Sequence, residues 1–175
     1  MTAQRQERYR WRTSRPGITI IALFIIALLT VFCAACPDFA ADATTTERIV
    51  ANRFSGLAIE GFDPVAYFVD REPVLGLPDF EAWQGGAVWR FHNDGNRASF
   101  LAHPEVYGPQ FGGYDPIDVA RGVTVAGNPR FWAIAGERLY LFNLEAHRDA
   151  FAADSVRIVG EANARWPAIE ENLAQ

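Results

Sequence analysis

The chain has 175 residues, half of them apolar and 13% aromatic, which is enough to close a core and argues against a disordered polymer. Its 16 basic residues are all arginine and its 21 acids leave a formal charge of −5. Residues 1–43 hold five arginines against three acids, and the rest of the chain holds 11 against 18, so an acidic folded part with no basic stripe argues against nucleic acid as a partner.

The chain opens with a leader. Arginines at positions 5, 8, 10, 12 and 15 precede an uncharged run of 18 residues, 18–35. That length falls between a signal-peptide core of about 7–15 residues and a spanning helix of about 20. Residues 1–43 therefore read as an N-terminal hydrophobic helix, either a membrane anchor or a signal peptide cleaved after Ala35 or Ala43. In both cases the arginines stay in the cytoplasm and the folded part is exported, so the expected location is the inner membrane with a periplasmic domain, or the periplasm after cleavage. The only cysteines, Cys33 and Cys36, close this segment. They have redox-motif spacing but lack the strand–helix context such motifs need. Residues 44–55 are a polar spacer.

From residue 56 the elements follow in order. Asp63-Pro64 is a turn, since proline fixes its own φ and aspartate bonds nearby amides. Residues 65–69 then read as a short strand. Residues 80–91 read as a β-hairpin turning at Gly85-Gly86, a pair that supplies the positive φ angles of tight turns. Asn93 or Asp94 caps a helix over 96–102, with Ala98 and Leu101 sharing one side, and His103-Pro104 ends it. Residues 105–113 form a hinge loop. A second turn and short strand occupy 114–120, and a second hairpin 131–142 turns at 135–137. A helix over 144–153 directs Ala146, Ala150 and Phe151 inward. Ser155 caps a last helix that Pro167 stops or kinks after Trp166. Trp83, Trp89, Phe91, Trp132, Tyr140 and Phe142 are the aromatic core.

Much of this is said twice. Gly61-Phe62-Asp63-Pro64-Val65 returns 52 residues later as Gly113-Tyr114-Asp115-Pro116-Ile117. Gly76, Pro78 and Phe80 match Gly127, Pro129 and Phe131 at an offset of 51, and so do Gly85, Val88, Trp89 and Phe91 with Gly136, Leu139, Tyr140 and Phe142. Such self-similarity defines architecture before anything else does. The expected fold is α+β: two pseudo-repeated turn-strand-hairpin-helix units, copy one at 61–112 and copy two at 113–154. With a C-terminal helix at 155–166, they pack into one small domain over 56–170. A unit of about 50 residues buries too little surface to stand alone.

The runs at 61–68, 89–114 and 131–142 (GFDPVAYF, WRFHNDGNRASFLAHPEVYGPQFGGY and FWAIAGERLYLF) resemble the YHS-domain family, in its exported bacterial branch. The resemblance spans residues 56–166. It implies a small α+β, often metal-associated module. In metal-type members cysteines follow the first Asp-Pro motif and flank the start of the helix; the matching positions here are Ala66, His92 and Asn96. The exported branch commonly has a cysteine after Gly-Gly-Tyr, where this chain has Asp115.

Without cysteine after position 36, and with Met1 its only methionine, the folded part offers no thiolate or thioether site for a soft ion. A divalent metal on histidine and carboxylate stays open, with His92 and Asp94 as candidate ligands. Asp63, Tyr67, Tyr114 and Asp115, each beside a turn, are candidate ligand-binding residues; the plainer reading of each aspartate is that it bonds its own turn. His103 and His147 read as surface residues. No nucleophile motif, metalloprotease motif, phosphate loop or dinucleotide fingerprint is present. The expectation is a non-enzymatic binding or sensing module for a small ligand or an envelope protein. A metal-binding domain is the first alternative and an enzyme the second.

Overall fold

The computed structural model describes residues 47–173; the leader and the first residues of the spacer lie outside that range. The described chain is α+β, with two separate two-stranded antiparallel sheets and six helices. In order these are α1 (Ala66–Val69), β1 (Leu77–Gln84), β2 (Ala87–Phe91), α2 (Asp94–Ala102), α3 (Pro104–Tyr107), α4 (Pro116–Arg121), β3 (Asn128–Ala135), β4 (Arg138–Phe142), α5 (Glu145–Ala153) and α6 (Ser155–Glu170). Short 3₁₀ turns at Ile59–Gly61 and Gln110–Gly113 precede the two Asp-Pro steps. Among the described residues no helix is long and apolar enough to cross a membrane.

The segments expected as short strands after Asp-Pro are helices. Residues 66–69 and 116–121 are rich in β-formers, but local capping outweighs that preference. The Asp115 side chain accepts the amide of Ile117, Pro116 occupies the first helical position, and Gly122 closes α4 with φ of 84°. The expected hinge loop likewise contains helix α3, with Pro104 at its start.

Both hairpins form as expected. Their turns need positive φ at two successive residues, met by Gly85 and Gly86 in one and by Gly136 and Glu137 in the other. Contacts in the first half recur in the second at a shift of 51 or 52. Leu57 bridges Val88 as Pro109 bridges Leu139, and Phe62 bridges Leu75 as Tyr114 bridges Ala126. The amide of Asp63 donates to Val74 O as that of Asp115 donates to Val125 O. The second of these intervals is one residue shorter, which accounts for the change of shift.

The two hairpins are used differently. In β2, Ala87, Trp89 and Phe91 enter the first core, while Val88 and Arg90 stay half-buried on the other face. In β4, Leu139 and Leu141 join that same first core, and the alternate residues Tyr140 and Phe142 enter the second. The second hairpin is therefore buried on both faces, a position that antiparallel strands with alternating large apolar residues can fill. Trp83, expected in the core, is 70% exposed instead. It pairs with Val88 on the outer face of the first hairpin, opposite the face that carries Ala82 and Trp89.

Each hairpin is covered by a helix held through one ring. Phe100 is the buried residue of α2 and Phe151 that of α5. Phe100 lies 4.8 and 5.2 Å from the rings of Trp89 and Phe91; Phe151 lies 4.9 and 5.0 Å from those of Tyr140 and Phe142. Ala98 and Leu101, which share one side of α2, are exposed, and so are Ala146 and Ala150, expected to face inward with Phe151. α6 is capped by Asp154, whose carboxylate accepts the amide of Arg157, and not by Ser155. It continues through Pro167 to Glu170, where Trp166 and Ile169 pack against the second core and offset the lost backbone bond.

Because each covering helix has one fully buried side chain, Phe100→Ala or Phe151→Ala should each cost about 3–5 kcal/mol. Leu101→Ala, on the exposed side of α2, should stay within about 0.5 kcal/mol of wild type. Urea unfolding midpoints of the three variants test this, and similar losses at Phe100 and Leu101 would contradict it.

Candidate functional site

Asp63 and Asp115 are both completely buried. A lone buried carboxylate is costly, so its hydrogen-bond partners decide what it does. Asp63 Oδ1 accepts the amides of Val65 and Ala66 at 2.8 and 3.4 Å. Its Oδ2 accepts the His92 amide and the Asn96 Nδ2 group, both at 2.7 Å. Asp115 repeats the arrangement: Oδ1 accepts the amide of Ile117 at 2.9 Å, and Oδ2 accepts the amide of Asn143 at 2.8 Å and meets His147 Nδ1 at 2.7 Å. Each carboxylate is engaged by donors of its own half of the domain. Each ties the start of a helix to the end of a strand and the first turn of the next helix.

The partners differ in one respect. The side-chain partner in the first half is the neutral amide of Asn96; in the second it is the imidazole of His147, 51 residues later. A further carboxylate stands beside it, since Asp118 Oδ2 lies 3.7 Å from His147 Nδ1. By the 52-residue match of the Asp-Pro phrase, the counterpart of Asp118 is Ala66. Asp118 and His147 have side chains only 11% and 17% exposed, and Arg121 approaches Asp118 from outside at 3.4 Å. Asp115, Asp118 and His147 each offer a ligand atom within 4.8 Å of the others, so the group could hold a metal ion. Among the described residues no thiolate takes part in such a group.

The other expected site residues fall elsewhere. His92 is exposed, and only its backbone amide reaches Asp63. Asp94 is exposed and paired with Arg97 at 2.5 Å. Neither belongs to the metal-capable group. Tyr67 is fully buried, donates to Pro129 O at 2.9 Å and packs edge-on against Trp132. Tyr114 is fully buried and donates to Glu47 O at 2.5 Å. Both tyrosines act as bolts inside the fold. His147, expected at the surface, is the residue that sequence reasoning passed over. The signal was present in its match to Asn96, but a helix position facing a buried carboxylate cannot be told from a solvent-facing one without the packing.

No family model, curated protein or solved structure matches the chain.

Burial pushes the Tyr67 phenol well above its ordinary range; the nearby charges of Asp63 and Glu60 add to this and Arg130 opposes it. The native state therefore keeps a proton that the unfolded chain releases above about pH 10. Stability from the neutral phenol is complete below that pH and is lost as pH rises, by up to about 1.4 kcal/mol per pH unit. The chain has no lysine to confuse the reading. Urea midpoints between about pH 9 and 11.5 should fall more steeply for wild type than for Tyr67→Phe; parallel slopes would refute the assignment.

Proposed function

We propose that this chain is a YHS-like, non-enzymatic binding module of the cell envelope, built from two copies of one unit, and that its second copy binds a divalent cation through Asp115, Asp118 and His147. One observation carries the reading. The fold is held in copy one by Asp63 with Asn96, next to Ala66, and in copy two the same places hold Asp115, His147 and Asp118. Neither the second carboxylate nor the imidazole is needed to make the lock. A cation that engages all three accounts for both.

The resemblance adds support. The positions at which metal-type YHS domains would place cysteine correspond in copy one to Ala66, His92 and Asn96. Their counterparts in copy two are Asp118, Asn143 and His147. Two of those three are metal-ligating residue types, of harder character than thiolate. One imidazole with two carboxylates suits Zn²⁺, Mn²⁺ or Fe²⁺ and not Cu(I). Metal ligands bind in their deprotonated form, so cation binding here is coupled to proton release. The leader supports delivery to the envelope, with the inner membrane as the neighbouring surface.

The test is a pair of substitutions that rewrite copy two as copy one. Titration of the full-length protein in detergent with Zn²⁺ and Mn²⁺ should show binding. Asp118→Ala with His147→Asn should weaken it by more than about tenfold, a change of at least about 1.4 kcal/mol. The same double variant should unfold within about 1 kcal/mol of wild type in the absence of metal, because Asn96 already shows that an amide satisfies the aspartate. His92→Ala should leave binding unchanged. No binding by wild type, or equal binding by the double variant, would rule out this site.

A further inference from the structure

A second site lies on different residues. A cavity of about 570 Å³ opens where the 47–51 segment crosses the domain, within the size range of small-molecule pockets. Its walls include Trp89 and Phe100 from the first core and Trp166 from α6. Two residues of opposite charge line it as well, Arg48 and Glu170.

Among the described residues neither charge has an ion-pair partner, and part of the Arg48 guanidinium is buried. The Nε of Arg48 is buried and has no hydrogen-bond partner. Arg48 and Glu170 form no ion pair with each other or with any other described residue, whereas Arg90, Arg97, Arg121, Arg148 and Arg157 are each paired with a carboxylate. A buried unpaired donor costs about 1–3 kcal/mol, and more when charged, so one that persists calls for a partner from outside. Glu105 also borders the cavity but lies 3.6 Å from His103.

Arg48 is held in place by its backbone. Val50 donates to Gly112 O at 2.8 Å, and a Cβ on Gly112 would lie 1.9 Å from Arg48 O. No side chain fits at position 112, so the crossing is a fixed close approach of two backbones. The site is thereby preorganised, which reduces what a ligand must spend on ordering it.

We propose that this cavity takes a small zwitterion with an apolar side chain, an amino acid or a short peptide, its carboxylate on Arg48, its ammonium on Glu170 and its side chain among the three aromatic rings. A guanidinium grips a carboxylate through two parallel hydrogen bonds. An ammonium near Glu170 also gains from neighbouring indole faces. A purely anionic ligand would leave Glu170 unpaired in the same cavity, and a purely cationic one would leave Arg48 so.

Three probes with one ring and one chain length separate these cases: L-phenylalanine, 3-phenylpropanoate and 2-phenylethylamine, titrated by calorimetry into the full-length protein in detergent. L-phenylalanine should bind at least about tenfold more tightly than either partial analogue, equivalent to about 1.4 kcal/mol. Arg48→Gln should reduce L-phenylalanine to the level of 2-phenylethylamine, and Glu170→Gln should reduce it to the level of 3-phenylpropanoate. Without ligand, Arg48→Gln should melt at or above the wild-type temperature, because it removes an unpaired buried donor. A lower melting temperature would show that the guanidinium already has a structural partner, and would overturn the proposal. So would equal binding of all three probes, binding of none in the millimolar range, or wild-type affinity in Glu170→Gln. Asp118 and His147 play no part in any of these outcomes, so the cavity and the cation group stand or fall separately.

Discussion

Two buried carboxylates hold this domain together. Asp63 and Asp115 each sit at zero exposure and each collect N–H donors from three places in the chain. A hydrogen bond to a charged acceptor contributes about 1.5–3 kcal/mol, so the four around Asp63 and the three around Asp115 offset the cost of burying them. The loops they close span 28 to 33 residues, from the Asp-Pro step past a whole hairpin to the following helix. Each aspartate thus sets where a helix starts, how far the hairpin folds back, and where the covering helix is capped.

Around these pins the cores are unequal. The first hairpin has one face in apolar packing, and the second has both, because β4 sends alternate residues to opposite sides. Tyr67 reaches from α1 to the Pro129 carbonyl and the Trp132 ring, so the halves interlock as well as abut. A unit of this size lacks the buried surface to hold its own shape, and sharing the central hairpin supplies it. The cost of that arrangement is symmetry, and Trp83 shows it: on the outer face of the first hairpin its side chain is 70% exposed.

The places with chemical potential are those where the two halves differ or where the fold leaves a charge unanswered. Asp118 and His147 stand where the first half manages with alanine and asparagine. Arg48 and Glu170 line a cavity, and the buried Nε of Arg48 has no hydrogen-bond partner among the described residues. Neither feature is needed to close a core, and each lies beside rigid elements that would hold a ligand's partners in place.

The sequence by itself determined a good deal. The glycine pairs and alternating aromatics defined both hairpins, because tight-turn geometry is a local property of one or two residues. The doubled Asp-Pro phrase placed the pins, and the plainer reading of Asp63 and Asp115, as residues that bond their own turns, was available from aspartate chemistry alone. Absence of cysteine beyond residue 36 ruled out thiolate ligation from composition. Other features depended on what lay across the fold. Residues 65–69 and 114–120 read as turn and short strand, since β-branched and aromatic residues favour strands, but helices form at 66–69 and 116–121, where Asp63 and Asp115 take up the first free amides. Ala146 and Ala150 looked inward together with Phe151, yet one phenylalanine per helix was enough to fill the space beneath. His147 looked like a surface residue and Trp83 like core. Periodicity says which side chains share a face, but only the packed neighbours decide which face meets a buried carboxylate, a second sheet or water.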